Sequence, residues 1–110
     1  MKLPNGERAV IDRRKLTAYS LDPEHDEGRH KAHLFASLLG INLENAEILL
    51  GALEQSARTG EAVEGKLDRY GQRYVIDFDF AGPSSTATIR SAWIVRHGED
   101  FPRLVTCFIL

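Results

Sequence analysis

The order of apolar and polar residues divides the chain into a helical half and an alternating half. Ala9-Val10-Ile11 is a short β-like run. Asp12 follows as an N-cap, its carboxylate able to accept free amide hydrogens of the next turn. Arg13–Tyr19 then reads as a short helix with Leu16 and Tyr19 on its buried side. Pro23, the acidic residues after it and Gly28 mark residues 21–28 as a loop. From Gly28 to Leu39 the apolar positions Ala32, Phe35, Leu38 and Leu39 keep helical spacing, and Gly40 is a fitting C-cap. Asn42 begins a third helix, Leu43 to about Arg58, closed by Gly60. Its expected buried stripe is Ile48, Leu49, Ala52 and Leu53, with Glu44, Glu47 and Glu54 facing water.

Beyond Gly60 the period falls to two. Val63–Tyr70 is a weak strand with Gly71-Gln72 at its turn. Tyr74, Ile76, Phe78 and Phe80 then share one face and Asp77 and Asp79 the other, as in a half-buried antiparallel strand. Residues 82–85 turn the chain. Thr86–Val95 alternates again, with Ala87, Ile89, Trp93 and Val95 opposite Thr88, Arg90 and Arg96. A loop from His97 to Pro102 leads to a last strand, Arg103–Leu110. The expected fold is α+β: two to three N-terminal helices, then a four-stranded antiparallel sheet, with Ala9–Ile11 available as an extra strand.

The last strand is apolar on both faces, and a bare edge of that kind invites aggregation. Three arrangements would protect it: a central place in the sheet, pairing with Ala9–Ile11, or cover by a partner.

At 110 residues, 43% hydrophobic and 27% charged, the chain has the size and composition of one folded domain. Its single cysteine, Cys107, lies in an apolar run and reads as a buried hydrophobe without an internal disulfide. No stretch approaches 18 apolar residues and the N-terminus has no apolar signal-like region, so the expectation is a cytoplasmic domain with no membrane contact. The net charge of −2 is unevenly spread: residues 34–65 hold five carboxylates and one arginine, leaving a slight basic excess elsewhere.

The densest polar cluster is His25-Asp26-Glu27-Gly28-Arg29-His30-Lys31-Ala32-His33. A helix start offers amide hydrogens to an anion, with His25 and Lys31 able to face it. An imidazole serves as general acid or base near neutrality, and an ammonium stabilises developing negative charge. A solvated helix start accounts for the same residues without any ligand. His30 and His33 are three apart on one face, but their spacing matches no metal pattern, and no metal is assigned. Trp93 fits the core first and base stacking second. Arg90 and Arg96 share a sheet face, and with Arg73 and Arg103 they suit phosphate or pairing with Asp77 and Asp79. Thr106 is the one hydroxyl in the last strand, so it is satisfied structurally or displayed into a site. No nucleophile elbow, P-loop, dinucleotide fingerprint or HExxH occurs, and no cofactor is implied.

Lys15-Leu16, Tyr19, Leu21, His25, Gly28, Lys31-Ala32 and Phe35, with Trp93 and Pro102-Arg103-Leu104-Val105-Thr106 later, match two spaced motifs. In these the chain resembles a small bacterial domain-of-unknown-function family found alone, at the end of phage-head or toxin polypeptides, and beside a small partner gene. The helices-then-sheet order is also similar to the barnase–EndoU–colicin–RelE group of metal-independent ribonuclease toxins. That resemblance implies RNA cleavage through the 2′-hydroxyl, with His25 as general base or acid and Lys31 stabilising the phosphorane. Thr106 would orient, Arg103 and Arg90 would hold phosphate, and Trp93 would contact substrate. It also implies an RNA substrate and a cognate antitoxin or immunity protein. The competing reading is a non-catalytic module that docks a partner, or a second copy in a homodimer, through its last strand or acidic helix.

Overall fold

Asn42 fixes the entry to the longest helix. Its side chain accepts the Glu44 N–H at 2.9 Å while Asn45 Oδ1 accepts the Asn42 N–H at 2.8 Å, a reciprocal cap. In the computed structural model, which describes residues 1–110, a 3-10 turn (Leu43–Asn45) passes from that cap into helix α2 (Ala46–Thr59). Helix α1 (Arg29–Leu34) precedes it and widens into a π-type turn (Phe35–Leu39). Gly40, at φ 71°, closes that turn in the left-handed conformation glycine allows. A further π-type turn, Leu16–Ser20, is opened by Asp12, whose carboxylate accepts the Arg14 N–H at 3.0 Å.

α2 buries Ala46, Leu49, Leu50, Leu53 and Ala57. Ile48, expected in that stripe, is 45% exposed, and Leu38 on the preceding turn is 49% exposed. A helix on one face of a sheet buries a single stripe, and both residues lie to the side of it.

Strands β1 (Ala62–Asp68), β2 (Gly71–Ala81), β3 (Thr86–Arg96) and β4 (Pro102–Ile109) form an antiparallel meander in that order. The β1–β2 turn falls at Arg69-Tyr70, two residues before the expected Gly71-Gln72, because Asp68 Oδ1 accepts the N–H groups of Tyr70 (2.9 Å) and Gly71 (3.3 Å). Tyr74, Ile76, Phe80, Ile89, Trp93, Leu104 and Cys107 face the helices and share one core with Leu16, Phe35, Leu39, Leu49 and Leu53. Trp93 is wholly enclosed there. Its Nε1–H donates to Ser91 Oγ at 2.9 Å, and Ser91 donates on to the Ile76 carbonyl at 3.0 Å. The ring therefore packs the core and offers no face to a ligand, which removes the substrate-contact role.

β4 does lie at the sheet edge, so the central placement does not occur. The second expected arrangement does: Val10 N–H donates to the Pro102 carbonyl (2.9 Å) and Leu104 N–H to the Val10 carbonyl (3.0 Å), a single parallel bridge. Past it, the pairs Trp93↔Leu104 and Ala92↔Thr106 leave Val105 unpaired as a bulge. The bulge keeps Leu104 and Cys107 in the core while Arg103, Thr106 and Phe108 pair with Ile94, Ala92 and Arg90 on the other face.

Candidate functional site

Helix α1 packs beside the free edge of β4, and Lys31 in its first turn reaches across that edge. Lys31 Nζ donates to Thr106 Oγ1 at 2.8 Å and lies 5.2 Å from the Tyr19 ring centre and 5.5 Å from that of Phe108. The two rings attract the ammonium through their negative faces. Burial among them pushes the Lys31 pKa below the usual lysine value, opposed only in part by the nearby Cys107. Cys107 is itself pushed up to about 11 by its own burial.

Tyr19 is set in place by a close backbone approach. Gly28 has an ordinary helical φ of −87°, so it is not needed to turn the chain. A Cβ at Gly28 would instead stand 2.1 Å from the Tyr19 carbonyl oxygen. Only glycine lets these segments touch. His25 packs edge-on against the Tyr19 ring at 4.7 Å, and its Nδ1 accepts the N–H groups of Glu27 (3.0 Å) and Gly28 (2.9 Å).

That bonding changes two sequence expectations. Three amides at this helix start, those of Glu27, Gly28 and Arg29, are already taken by His25, and α1 proper is only six residues long. A ring whose Nδ1 accepts hydrogen bonds carries its proton on Nε2 when neutral, so it has no lone pair there for a general base. His25 in this arrangement caps the loop and supports Tyr19.

Two adjoining depressions of about 510 and 330 Å³ run from Lys31 along β4, sharing Asp12, Lys15 and Val105. Tyr19, Lys31 and Thr106 line the first, and Tyr70, Arg73, Ile94, Arg96 and Arg103 the second. Arg103 is held by Glu99 through two bonds of 2.8 and 2.9 Å, and Arg73 by Asp68 at 2.8 Å. Arg14 pairs with Asp12 at 2.8 Å. Lys15, Lys31 and Arg96 have no carboxylate partner, so the groove carries a net positive field.

Of the residues singled out from sequence, the fold brings Lys31 and Thr106 into direct contact and sets Arg103 farther along the same groove. His25 stands behind Tyr19, outside the groove wall. Arg90 lies on the open sheet face, forked onto Asp77 at 2.8 and 2.9 Å, apart from the groove. His30 and His33 line a separate depression with Pro23 and Leu43, and no group of three or more His, Cys, Asp or Glu side chains is placed to hold a metal. Lys15 and Tyr70 were not singled out as site residues. The signal for Lys15 was its spacing: Asp12, Lys15 and Tyr19 fall three and four apart on one face of a helical turn.

The fold and groove define an α+β domain with a cationic channel along the edge of its last strand. The chain belongs to DUF6883, a domain-of-unknown-function family whose model matches residues 2–110. It is also similar to a chain in a solved structure described as a contact-dependent growth inhibition toxin–immunity protein complex from Klebsiella pneumoniae 342. The TM-score is 0.69 at 18% identity, covering 92% of this chain and 99% of that one, a likeness of fold. A search of curated proteins finds no match.

Proposed function

We propose that the domain is a ribonuclease-like toxin that cleaves RNA by metal-independent acid–base chemistry and is restrained by a cognate immunity partner. The observation that carries this reading is the placement of Lys31, a desolvated amine pinned to Thr106 at one end of a cationic groove. The similarity of fold to a chain from a toxin–immunity complex supports it. In the proposed reaction, Lys15, Arg96 and Arg103 hold the phosphate backbone, mostly through charge. The 2′-oxygen attacks phosphorus, its proton passing to solvent. The Lys31 ammonium stabilises the phosphorane, then gives a proton to the departing 5′-oxygen and regains one from solvent. The products are a 2′,3′-cyclic phosphate and a 5′-hydroxyl. Thr106 orients Nζ, and His25 acts as a positioning residue through Tyr19.

The purified protein is expected to cleave RNA in EDTA, leaving cyclic phosphate ends. Lys31→Ala should lower kcat by about 10²-fold or more with little change in KM, and His25→Ala should have a smaller effect on both. Intact RNA after incubation with wild type, together with harmless expression in the absence of a partner, would refute the reading.

A second reading is favoured by the exposed surface of α2, where Ile48 lies among Glu44 and Glu47. A non-catalytic module would bind a partner or a second copy there. Light scattering would then show a stable complex or homodimer insensitive to Lys31 substitution.

A further inference from the structure

We propose that the β1–β2 hairpin carries a nucleobase platform, Tyr70, which stacks one unpaired base of a single-stranded RNA beside the arginines of the groove. The RNA rests on the function proposed above; the platform rests on its own geometry. Tyr70 is 56% exposed at a two-residue turn whose positive-φ position falls on the next residue, Gly71 (φ 152°), so neither the backbone nor the core calls for an aromatic ring there. The ring rests against its neighbour in the turn, and its backbone is tied down. Arg69 lies 4.9 Å over its centre and donates to its hydroxyl at 2.8 Å. The Tyr70 N–H is bound by Asp68, and its carbonyl accepts the His97 N–H at 3.2 Å. His97 Nε2 also lies 2.8 Å from the Asp68 carbonyl, tying this hairpin to the end of β3.

Arg69 covers one face of the ring. Tyr70 also borders the depression whose wall is Arg73, Arg96 and Arg103 and whose floor includes Ile94. An aromatic face beside a groove of net positive charge, here with Arg96 outside any ion pair, is the arrangement that binds single strands, with charge tracking the backbone and the ring accepting a base. Arg96, which makes no ion pair, stands opposite Gly71 across the β2–β3 pairing, so it is placed to take the phosphate beside a base on Tyr70. Two residues of β4, Leu104 and Val105, separate Thr106 from Arg103, and two strand spacings separate Arg103 from Arg73. By strand rise and spacing, Tyr70 stands on the order of 15–20 Å from Lys31, so a strand held at both points must span several nucleotides.

The test uses the whole chain and a fluorescent 2′-O-methyl oligonucleotide of about a dozen nucleotides, which binds without being cut, with inorganic polyphosphate as a second probe. Tyr70→Ala should weaken oligonucleotide binding about tenfold and leave polyphosphate binding unchanged. Tyr70→Phe should bind both as wild type does, and Arg96→Ala should weaken both. The platform is refuted if Tyr70→Ala binds the oligonucleotide normally, if it loses both probes alike, or if wild type binds no oligonucleotide. Tyr70-dependent binding without cleavage of ordinary RNA would sink the ribonuclease reading and support the platform. Cleavage and binding that ignore Tyr70 would do the reverse.

Discussion

Replacing Gly28 by alanine separates two explanations of this glycine, because they predict opposite signs. If Gly28 served only to supply backbone freedom, alanine would stabilise: φ is −87° and ψ −13°, which alanine adopts readily. Reduced freedom of the unfolded chain would then give about 0.4–1 kcal/mol. The structure gives the other sign. The new Cβ would stand 2.1 Å from the Tyr19 carbonyl oxygen and 2.8 Å from its carbon, where real Cβ atoms do not come closer than 3.0 Å. The oxygen must therefore retreat by at least the difference, 0.9 Å, and both partners are backbone with no rotamer to change. Overpacking of this kind costs about 1–3 kcal/mol, and a backbone-on-backbone contact belongs at the upper end. For a domain of this size about 3 kcal/mol lowers Tm by roughly 10–20 °C. Gly51 is the control: it is exposed in the middle of α2, a Cβ there meets nothing within 4 Å, and Gly51→Ala should stabilise by about 0.5–1 kcal/mol. Urea unfolding of both variants gives the two free energies. A Gly28→Ala protein as stable as wild type would refute the close-approach argument.

Lys31→Met should fold at least as well as wild type near neutral pH, since it removes the cost of burying charge. Because the folded pKa of Lys31 lies below its unfolded value of 10.5, that cost is full below the folded pKa and fades as pH rises towards 10.5. Wild type should therefore gain on the variant over that alkaline window, and denaturation at several pH values would show it. Asp68 is held at about 2 by Arg73 and by the Tyr70 and Gly71 amides, below its ordinary 3.8. Asp68→Asn should thus be less stable at neutral pH, with the gap closing as pH falls from 3.8 through about 2. Cys107, fully buried and at about 11, should resist a thiol reagent at pH 8 in the native state and react at once in denaturant. Rapid labelling of the native protein would contradict that burial.

Much of the fold was legible because local chemistry and hydrophobic period agreed. Asn42 and Asp12 cap where their side chains suggest, Gly40 takes the left-handed conformation, and the alternation from Tyr74 to Phe80 matches one core face. The β1–β2 turn moved because Asp68 competes for its amides, a choice that hydropathy does not record. The Val105 bulge was invisible for a related reason: Leu104, Val105 and Phe108 are all apolar, so nothing in the pattern marks the extra residue. The site was partly readable. Lys31 and Thr106 stood out as polar groups in telling positions, but their contact depends on how α1 crosses the edge of β4. His25 looked catalytic by residue type, and only its bonds to Glu27 and Gly28 show which ring nitrogen is already engaged. Trp93 and Arg90 were misplaced by the same limit, since burial and pairing with Asp77 are tertiary facts.

The bridge between Val10 and β4 ties the groove to the completeness of the chain. One wall of the groove comes from residues near the start of the domain and the other from its last strand, so the two meet only after almost every intervening residue exists. Closing contacts so distant in sequence costs more chain entropy than closing a hairpin, and such contacts slow folding. A nascent or truncated domain lacking β4 would have Lys31 without Thr106 and the early basic residues without Arg103. Whatever the groove does, it requires both ends of the domain to be in place at once.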